Sequence, residues 1–299
     1  MQHAFLIMAH NNFNQLKTLL RLLDDSRNFI YLHIDAKTQM FNPLEFEGLL
    51  QHAVLKLIPR IKITWGGYSQ IECEVSLITH ALKSGCDYYH LISGMDLPLH
   101  NMDYIDDFFH KHNGNEFIHF TELGKVANST RDRIALYHPF QEIAGRNHKP
   151  IDLTVGTMQR IFRIDRLNSN SRLNLGKGAN WFSISKAFAQ YFINNWISHY
   201  KRIFSSSLCA DELVLQTVIL NSPYRENIYH PQPDDDYASI MRLIDWTRGK
   251  PYTFKQDDLN ELTHSSMLFA RKFDERIDCH IIDMIAEHLT SGLRTFSWR

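Results

Sequence analysis

The stretch "HLISGMDLPLH", residues 90–100, reads as a buried strand that stops at a Ser-Gly pair and then sets one carboxylate, Asp96, two residues before a proline. In an open α/β sheet, ligands sit in the crevice beyond the carboxyl ends of the strands, so a carboxylate there can bond a ligand or simply close a Ser-Gly-Met-Asp turn. A second acidic pair, Asp211 and Glu212, stands where a helix over "DELVLQTVILN" would begin. His10, His33 and Asp35 fall at or near strand ends, and "HPQPDDD" offers His230 with Asp234, Asp235 and Asp236. Imidazoles and carboxylates of this kind allow a metal-dependent hydrolase to be drawn. Against it, a run of aspartates also serves as a solvated turn, and His33 and Asp35 share a face only if one strand runs through both. Other chemistries lack their signatures. No G-x-G-x-x-G follows a strand, no Walker pattern occurs, and there is no G-x-S-x-G elbow.

These groups need elements to hold them. "AFLIMAH" is a continuous apolar run, followed by Phe13, Leu16, Leu19, Leu20 and Leu23 at helical spacing behind an asparagine cap. "FIYLHIDAKT" is a strand ending in Asp35, and "KITWGGYSQIECEVSLITHALKSG" reads as strand, Gly-Gly break and a helix opened by a Ser69-x-x-Glu72 capping box. "DYYHLISGMD" and "GNEFIHF" are further strands. Such alternation predicts an α/β fold with a mainly parallel central sheet flanked by helices. Residues 121–175 have no clean period and read as loops and short helices. Beyond them come a glycine turn, an aromatic strand and a helix in "GKGANWFSISKAFAQYFINNW", a helix over roughly 211–221, extended pieces, and a closing amphipathic helix, "HIIDMIAEHL". There is no internal repeat and no low-complexity linker.

A chain of 299 residues with 44% hydrophobic and 22% charged side chains is long enough for a full core. With 32 basic against 33 acidic residues, no broad field attracts nucleic acid, so any anion is bound locally. Cys73, Cys86, Cys209 and Cys279 are scattered with no C-x-x-C pair and read as reduced core residues. No run of 18 apolar residues is present and the start lacks the features of a signal peptide, which leads us to expect a cytoplasmic protein without a transmembrane segment.

In order along the chain, "MAHNN", "HIDAK", "SGMDLPL", "GANWFSIS", "DELVLQTVILNSP", "IDW" and "LFARKFD" resemble glycosyltransferase family 14, which contains the core-2 β-1,6-N-acetylglucosaminyltransferases and the peptide O-xylosyltransferases. The resemblance implies a single GT-A-type catalytic domain over 1–299, with a nucleotide-sugar half at 1–120 and an acceptor and catalytic half at 121–299. It implies inverting transfer from a UDP-sugar (GlcNAc, xylose or a related sugar) to a hydroxyl of a glycan or glycolipid, with no divalent metal or other cofactor. Glu212 matches the family's base, which a helix dipole would keep ionised. Lys272 matches its diphosphate-binding lysine; the second cation, an upstream arginine, aligns near Gly249 and leaves Arg248 or Lys250. Asp35 matches a carboxylate that bonds uracil, with Met8, Ala9 and His10 as the adjacent wall, and Asp96 is expected to bond the sugar or neighbouring backbone. Trp246 matches a tryptophan under the acceptor sugar. Glu116 and Arg131 or Arg133 could bind acceptor hydroxyls, and Trp65 and Trp181 match positions near donor and acceptor. Without the anchor and paired cysteines of Golgi relatives, the chain reads as a bacterial member acting on surface polysaccharide or lipooligosaccharide, in peripheral contact with the inner membrane face through a lipid-linked acceptor. The rivals are the hydrolase above and a carbohydrate-binding protein without turnover, against which the retention of Glu212 and Lys272 speaks.

Overall fold

The protein is described as a computed structural model covering residues 1–124, 126–145, 149–167 and 173–291. Its main sheet has six strands: β1 (His3–Ala9), β2 (Asn28–Ile34), β3 (Val54–Leu57), β4 (Tyr88–Ser93), β6 (Phe117–Ile118) and β9 (Phe182–Ser185), in the order β3-β2-β1-β4-β9-β6. The first four are parallel; β9 runs antiparallel to both β4 and β6. The expected mainly parallel sheet is therefore present. A smaller sheet joins β10 (Arg242–Ile244), β11 (Phe269–Arg271) and β5 (Asp96–Pro98), and β7 (Glu122–Gly124) pairs with β8 (Leu175–Lys177).

Continuous apolar strands are required because both faces are covered. Along β1, Ala4 and Leu6 enter one core, with residues of α2 (Tyr68–Ala81), α7 (Lys186–Asn195) and α9 (Val214–Leu220). Phe5 and Ile7 enter the other, with α1 (Phe13–Leu22), α3 (Met102–Lys111) and α11 (His280–Thr290). The two-residue period of a strand sorts neighbours between the cores. The remaining helices are α4 (Asn128–Ala135), α5 (Gln141–Ala144), α6 (Lys149–Ile161), α8 (Lys201–Phe204) and α10 (Leu259–Thr263).

Several local expectations are corrected, among them that of four core cysteines, since Cys73 and Cys86 are buried but Cys209 only partly so and Cys279 is exposed. Residues 62–64 form no strand; the edge strand is β3, whose Val54 and Leu57 are exposed, so no apolar run announces it. Ser69 does not cap α2, because Gly67 is the cap and the Ser69 hydroxyl accepts from Thr64 N at 2.8 Å. Asn12 stands at the start of α1, but its amide donates to Asp274 rather than capping the helix. The helix expected from 211 starts as a separate 3-10 turn, Ala210–Glu212, before α9. The "SGMD" turn also opens a strand, since β5 sets Asp96 opposite Arg271 of β11. Between 121 and 175, α6 is longer than expected; residues 125, 146–148 and 168–172 lie outside the described residues.

Register brings the ends of β1, β2 and β4 level, with Met8 opposite His33 on one side and Ser93 on the other. Strand order reverses between β1 and β4, which is where a doubly wound sheet opens a crevice. Asp35 N and Gly94 N close the strand ends by donating to Ala9 O and Met8 O, each at 3.0 Å. A Cβ on Gly94 would sit 2.9 Å from that of Ala9, so only glycine lets the end of β4 approach so closely.

Candidate active site

Glu212 lies on the 3-10 turn before α9. Arg133 of α4 donates to its Oε2 at 2.8 Å while also binding Leu208 O and Cys209 O, so one guanidinium fixes both the turn and the carboxylate. The Glu212 side chain remains 44% exposed, which leaves it open to an incoming group. Behind it lie two buried acids. Burial, with Glu212 next, pushes the Asp211 carboxyl up to about 6, and burial together with Asp211 pushes Glu74 well up. Gln70 of α2 donates to Asp211 at 3.2 Å. Burial thus opposes ionisation of both acids, and Glu212 is the outward-facing carboxylate of the group. Arg133 is thus engaged with the turn and Glu212, and Arg131 with Asp165 at 2.6 Å.

The glycine turn fixes this region from the other side. Gly178 N donates to Glu212 O at 2.9 Å, Ala179 N donates to His119 Nδ1 at 2.8 Å, and Gln216 of α9 donates to Ala179 O at 2.7 Å. A Cβ on Gly178 would meet His119 O at 1.8 Å, so the turn can pass β6 only with glycine. It delivers Trp181, whose ring lies 4.1 Å from the Arg271 guanidinium carbon. Arg271 is also 3.7 Å from Asp96, and its buried Nη1 has no hydrogen-bond partner among the described residues. Burial lowers its pKa, with Asp96 and Tyr237 opposing. Asp96 accepts from Ser93 N at 2.7 Å and Ser93 Oγ at 3.0 Å, so it binds neighbouring backbone, as one arm of the expectation has it.

Tyr237 was not singled out in the sequence. It stacks on His119 at 4.5 Å, its hydroxyl bonds Trp246, and burial raises its pKa, with Glu212 among the charges acting on it. Trp246 is 51% exposed, so a ring face is available beside Tyr237. Trp65 is half-exposed as well and accepts from Gln141 at its carbonyl.

At the strand ends, Asp35 is largely buried and accepts from Lys37 N at 2.9 Å and Ile63 N at 3.3 Å. Met8 is half-buried, and His10, its pKa lowered by burial against the pull of Asp35, is exposed nearby. Of the cations, Arg248 is spent on Asp245, on Asp258 at 2.6 Å and on Glu261 at 2.7 Å. Three carboxylates share it, whereas the other candidate cations are less engaged. Lys250 and Lys272 have no side-chain partner among the described residues. Lys272 N donates to Tyr252 O and Phe254 N to Lys272 O, at 3.3 and 3.0 Å, so the turn holding Lys250 runs beside Lys272.

Glu116 lies in the core. Fully buried, it accepts from Ser185 N at 2.8 Å and Ser185 Oγ at 2.5 Å, steadying the cap of α7 rather than meeting an acceptor. Burial lifts its pKa from 4.5 to about 7, so its ionisation costs the folded state. Wild-type stability should fall as pH rises between those values and level above them. Urea titrations should find that slope missing in Glu116→Gln, which keeps an acceptor for Ser185 N, while Glu116→Ala loses about 1–3 kcal/mol at every pH.

The ligands a metal hydrolase would need are occupied or apart. His33 accepts from Ile61 N at 2.8 Å, and burial lowers it to about 4. Burial would raise Asp234, but hydrogen bonds from His119 and Ser239 hold it at about 2; Asp236 accepts from Ala238 N. Among the described residues no three His, Cys, Asp or Glu side chains converge as a metal set.

A family model described as "Branch: Core-2/I-Branching enzyme" matches residues 3–268. Over 96% of its length the chain is 20% identical to xylosyltransferase 2 of Canis lupus familiaris, covering 33% of that protein. It is 22% identical to xylosyltransferase sqv-6 of Caenorhabditis briggsae over 91% of this chain and 34% of that one. To the beta-1,3-galactosyl-O-glycosyl-glycoprotein beta-1,6-N-acetylglucosaminyltransferase of Bos taurus it is 22% identical, over 96% of this chain and 69% of that one. The chain thus spans about a third of the length of the xylosyltransferases it matches. The apo structure of mouse xyloside xylosyltransferase 1 aligns over 90% of this chain and 96% of that one, at 9% identity with a TM-score of 0.36.

Proposed function

The chain belongs to the core-2/I-branching enzyme family of glycosyltransferases, and from that premise we propose that it transfers a sugar from a uridine diphosphate sugar to a hydroxyl of a glycan or glycolipid acceptor, with inversion and without a divalent metal. The observation that carries this reading is the half-exposed Glu212 carboxylate, held by Arg133 and backed by Asp211 and Glu74, whose ionisation burial opposes. In an inverting displacement, Glu212 takes the acceptor proton as the acceptor oxygen forms its bond to the anomeric carbon. The bond from that carbon to the phosphate oxygen breaks on the opposite face, and the diphosphate departs with the electron pair.

Lys272 and Lys250, both without a partner among the described residues, are our candidates to meet that charge, together with the buried Arg271. Electrostatic help of this kind counts most where charge develops as the bond breaks. Asp35, Met8 and His10 form our candidate uracil wall at the strand ends. Trp246, exposed beside Tyr237, is our candidate floor for the acceptor pyranose, and Trp181, stacked on Arg271, would border the sugar between them. Both halves of the chain act as one catalytic domain in this proposal.

A thermal-shift panel tests the donor. Uridine diphosphate and its sugars should raise the melting temperature at concentrations where guanosine diphosphate does not, and excess chelator should leave the rise unchanged. A rise that chelator abolishes and manganese restores would overturn the metal-free part; equal response to every nucleotide would overturn the uridine specificity.

A further inference from the structure

From Thr154 on, helix α6 and the turn after it are inside out. Over the described turns of the helix, Gly156 and Gln159 face inward, while Met158, Ile161 and Phe162, at helical spacings of three and four, are 56, 71 and 75% exposed. Gln159 is held inward by a reciprocal pair with the backbone of Tyr137, at 2.8 Å each way. A helix that packs only against its own domain turns the apolar stripe inward, so this arrangement lacks a partner. The patch continues through Phe140 and Ile143, 41 and 84% exposed. Segment 137–164 holds seven of the sixteen exposed large apolar side chains among the described residues, too many for chance scatter.

Charge selects the partner. Around the patch, Asp132 is neutralised by Arg160 and Asp165 by Arg131, each at 2.6 Å. Arg163, Lys201 and Arg202 are exposed with no carboxylate partner among the described residues, and Arg166 ties the patch to the 201–204 helix by donating to Arg202 O and Ile203 O at 2.9 and 3.0 Å. The described surface is therefore apolar and aromatic with Arg163, Lys201 and Arg202 on its border against one exposed carboxylate, Glu142, so that positive charge prevails there although the whole chain carries a formal charge of −1. A two-fold contact with a second copy would bring these cations against each other. An anionic bilayer satisfies both features at once, taking the apolar side chains at its headgroup boundary and the cations at its phosphates.

We propose that this face docks on the surface of an anionic phospholipid bilayer. It adjoins the candidate site: Gln141 donates to Trp65 O at 2.7 Å, Glu142 accepts from Ser69 N at 3.2 Å, and Arg133, on the helix leading into the segment, holds Glu212. A sugar carried by a lipid would be presented on the side from which Glu212 is reached. Docking itself does not depend on the transfer reaction.

Vesicle flotation tests it, using phosphatidylglycerol mixed into phosphatidylcholine against phosphatidylcholine alone. The wild-type chain should float with the anionic vesicles, less so as salt is raised. Ile161→Asp with Phe162→Asp, both at exposed positions, should weaken binding by at least roughly tenfold with an unchanged melting temperature. Arg163→Glu should weaken it roughly fivefold. Absence of flotation, flotation that the double variant retains, or a dimer in sedimentation that the double variant dissociates would each overturn the proposal, the last in favour of a second copy.

Discussion

Glu212→Gln should lower turnover by roughly two to four orders of magnitude, the usual worth of a positioned general base, while donor affinity and melting temperature change little. The amide keeps the shape and still has an oxygen for Arg133, so the turn stays in place; it cannot take a proton. Asp211→Asn is the control. Burial and Glu212 push Asp211 up to about 6, so removing its charge relieves rather than strains the site, and turnover should fall less than roughly tenfold. Single-turnover kinetics with the donor that passes the thermal-shift panel would decide. Equal turnover in Glu212→Gln would remove this residue from the mechanism.

Lys272→Ala should weaken uridine diphosphate roughly ten- to a hundredfold, the worth of a charge-assisted contact of about 1.5–3 kcal/mol, and leave uridine binding nearly unchanged. Turnover should drop further than affinity, because negative charge on the bridging oxygen grows as the bond breaks. Arg248→Ala separates this from a general loss of positive charge. Its guanidinium already serves Asp245, Asp258 and Glu261, so its removal should cost stability and leave diphosphate affinity in place. Calorimetry giving equal uridine diphosphate affinity for Lys272→Ala and wild type would exclude this lysine from the donor site.

The parallel strands were legible because burial on two faces demands unbroken apolar runs, as in β1 and β4. The strand-end groups Met8, His10 and Asp35 followed from them. What escaped was set by contacts distant in sequence. Edge strand β3 is exposed and carries no apolar signature. Strand β5 exists only because β11, far along the chain, supplies its partner, which is how Asp96 comes to face Arg271. Glu116 and Arg248 looked like free charges, and nothing in their neighbourhoods betrayed that Ser185, Asp258 and Glu261 would claim them. Tyr237 and Arg133 owe their places to folding as well, having no local motif to announce them.

The position of β9 bears on how the chain assembles during synthesis. His90 of β4 and Ser183 of β9 touch at 2.9 Å across 93 residues of sequence, and β6, though made much earlier, reaches the sheet only through β9. Until Phe182–Ser185 leave the ribosome, β4 has no partner on the side that β9 takes in the finished sheet. Long-range pairing of this kind is slow to form, and an open apolar edge invites pairing between molecules. Any fragment ending before Phe182 keeps that edge open, so the minimal soluble piece of this protein must include β9.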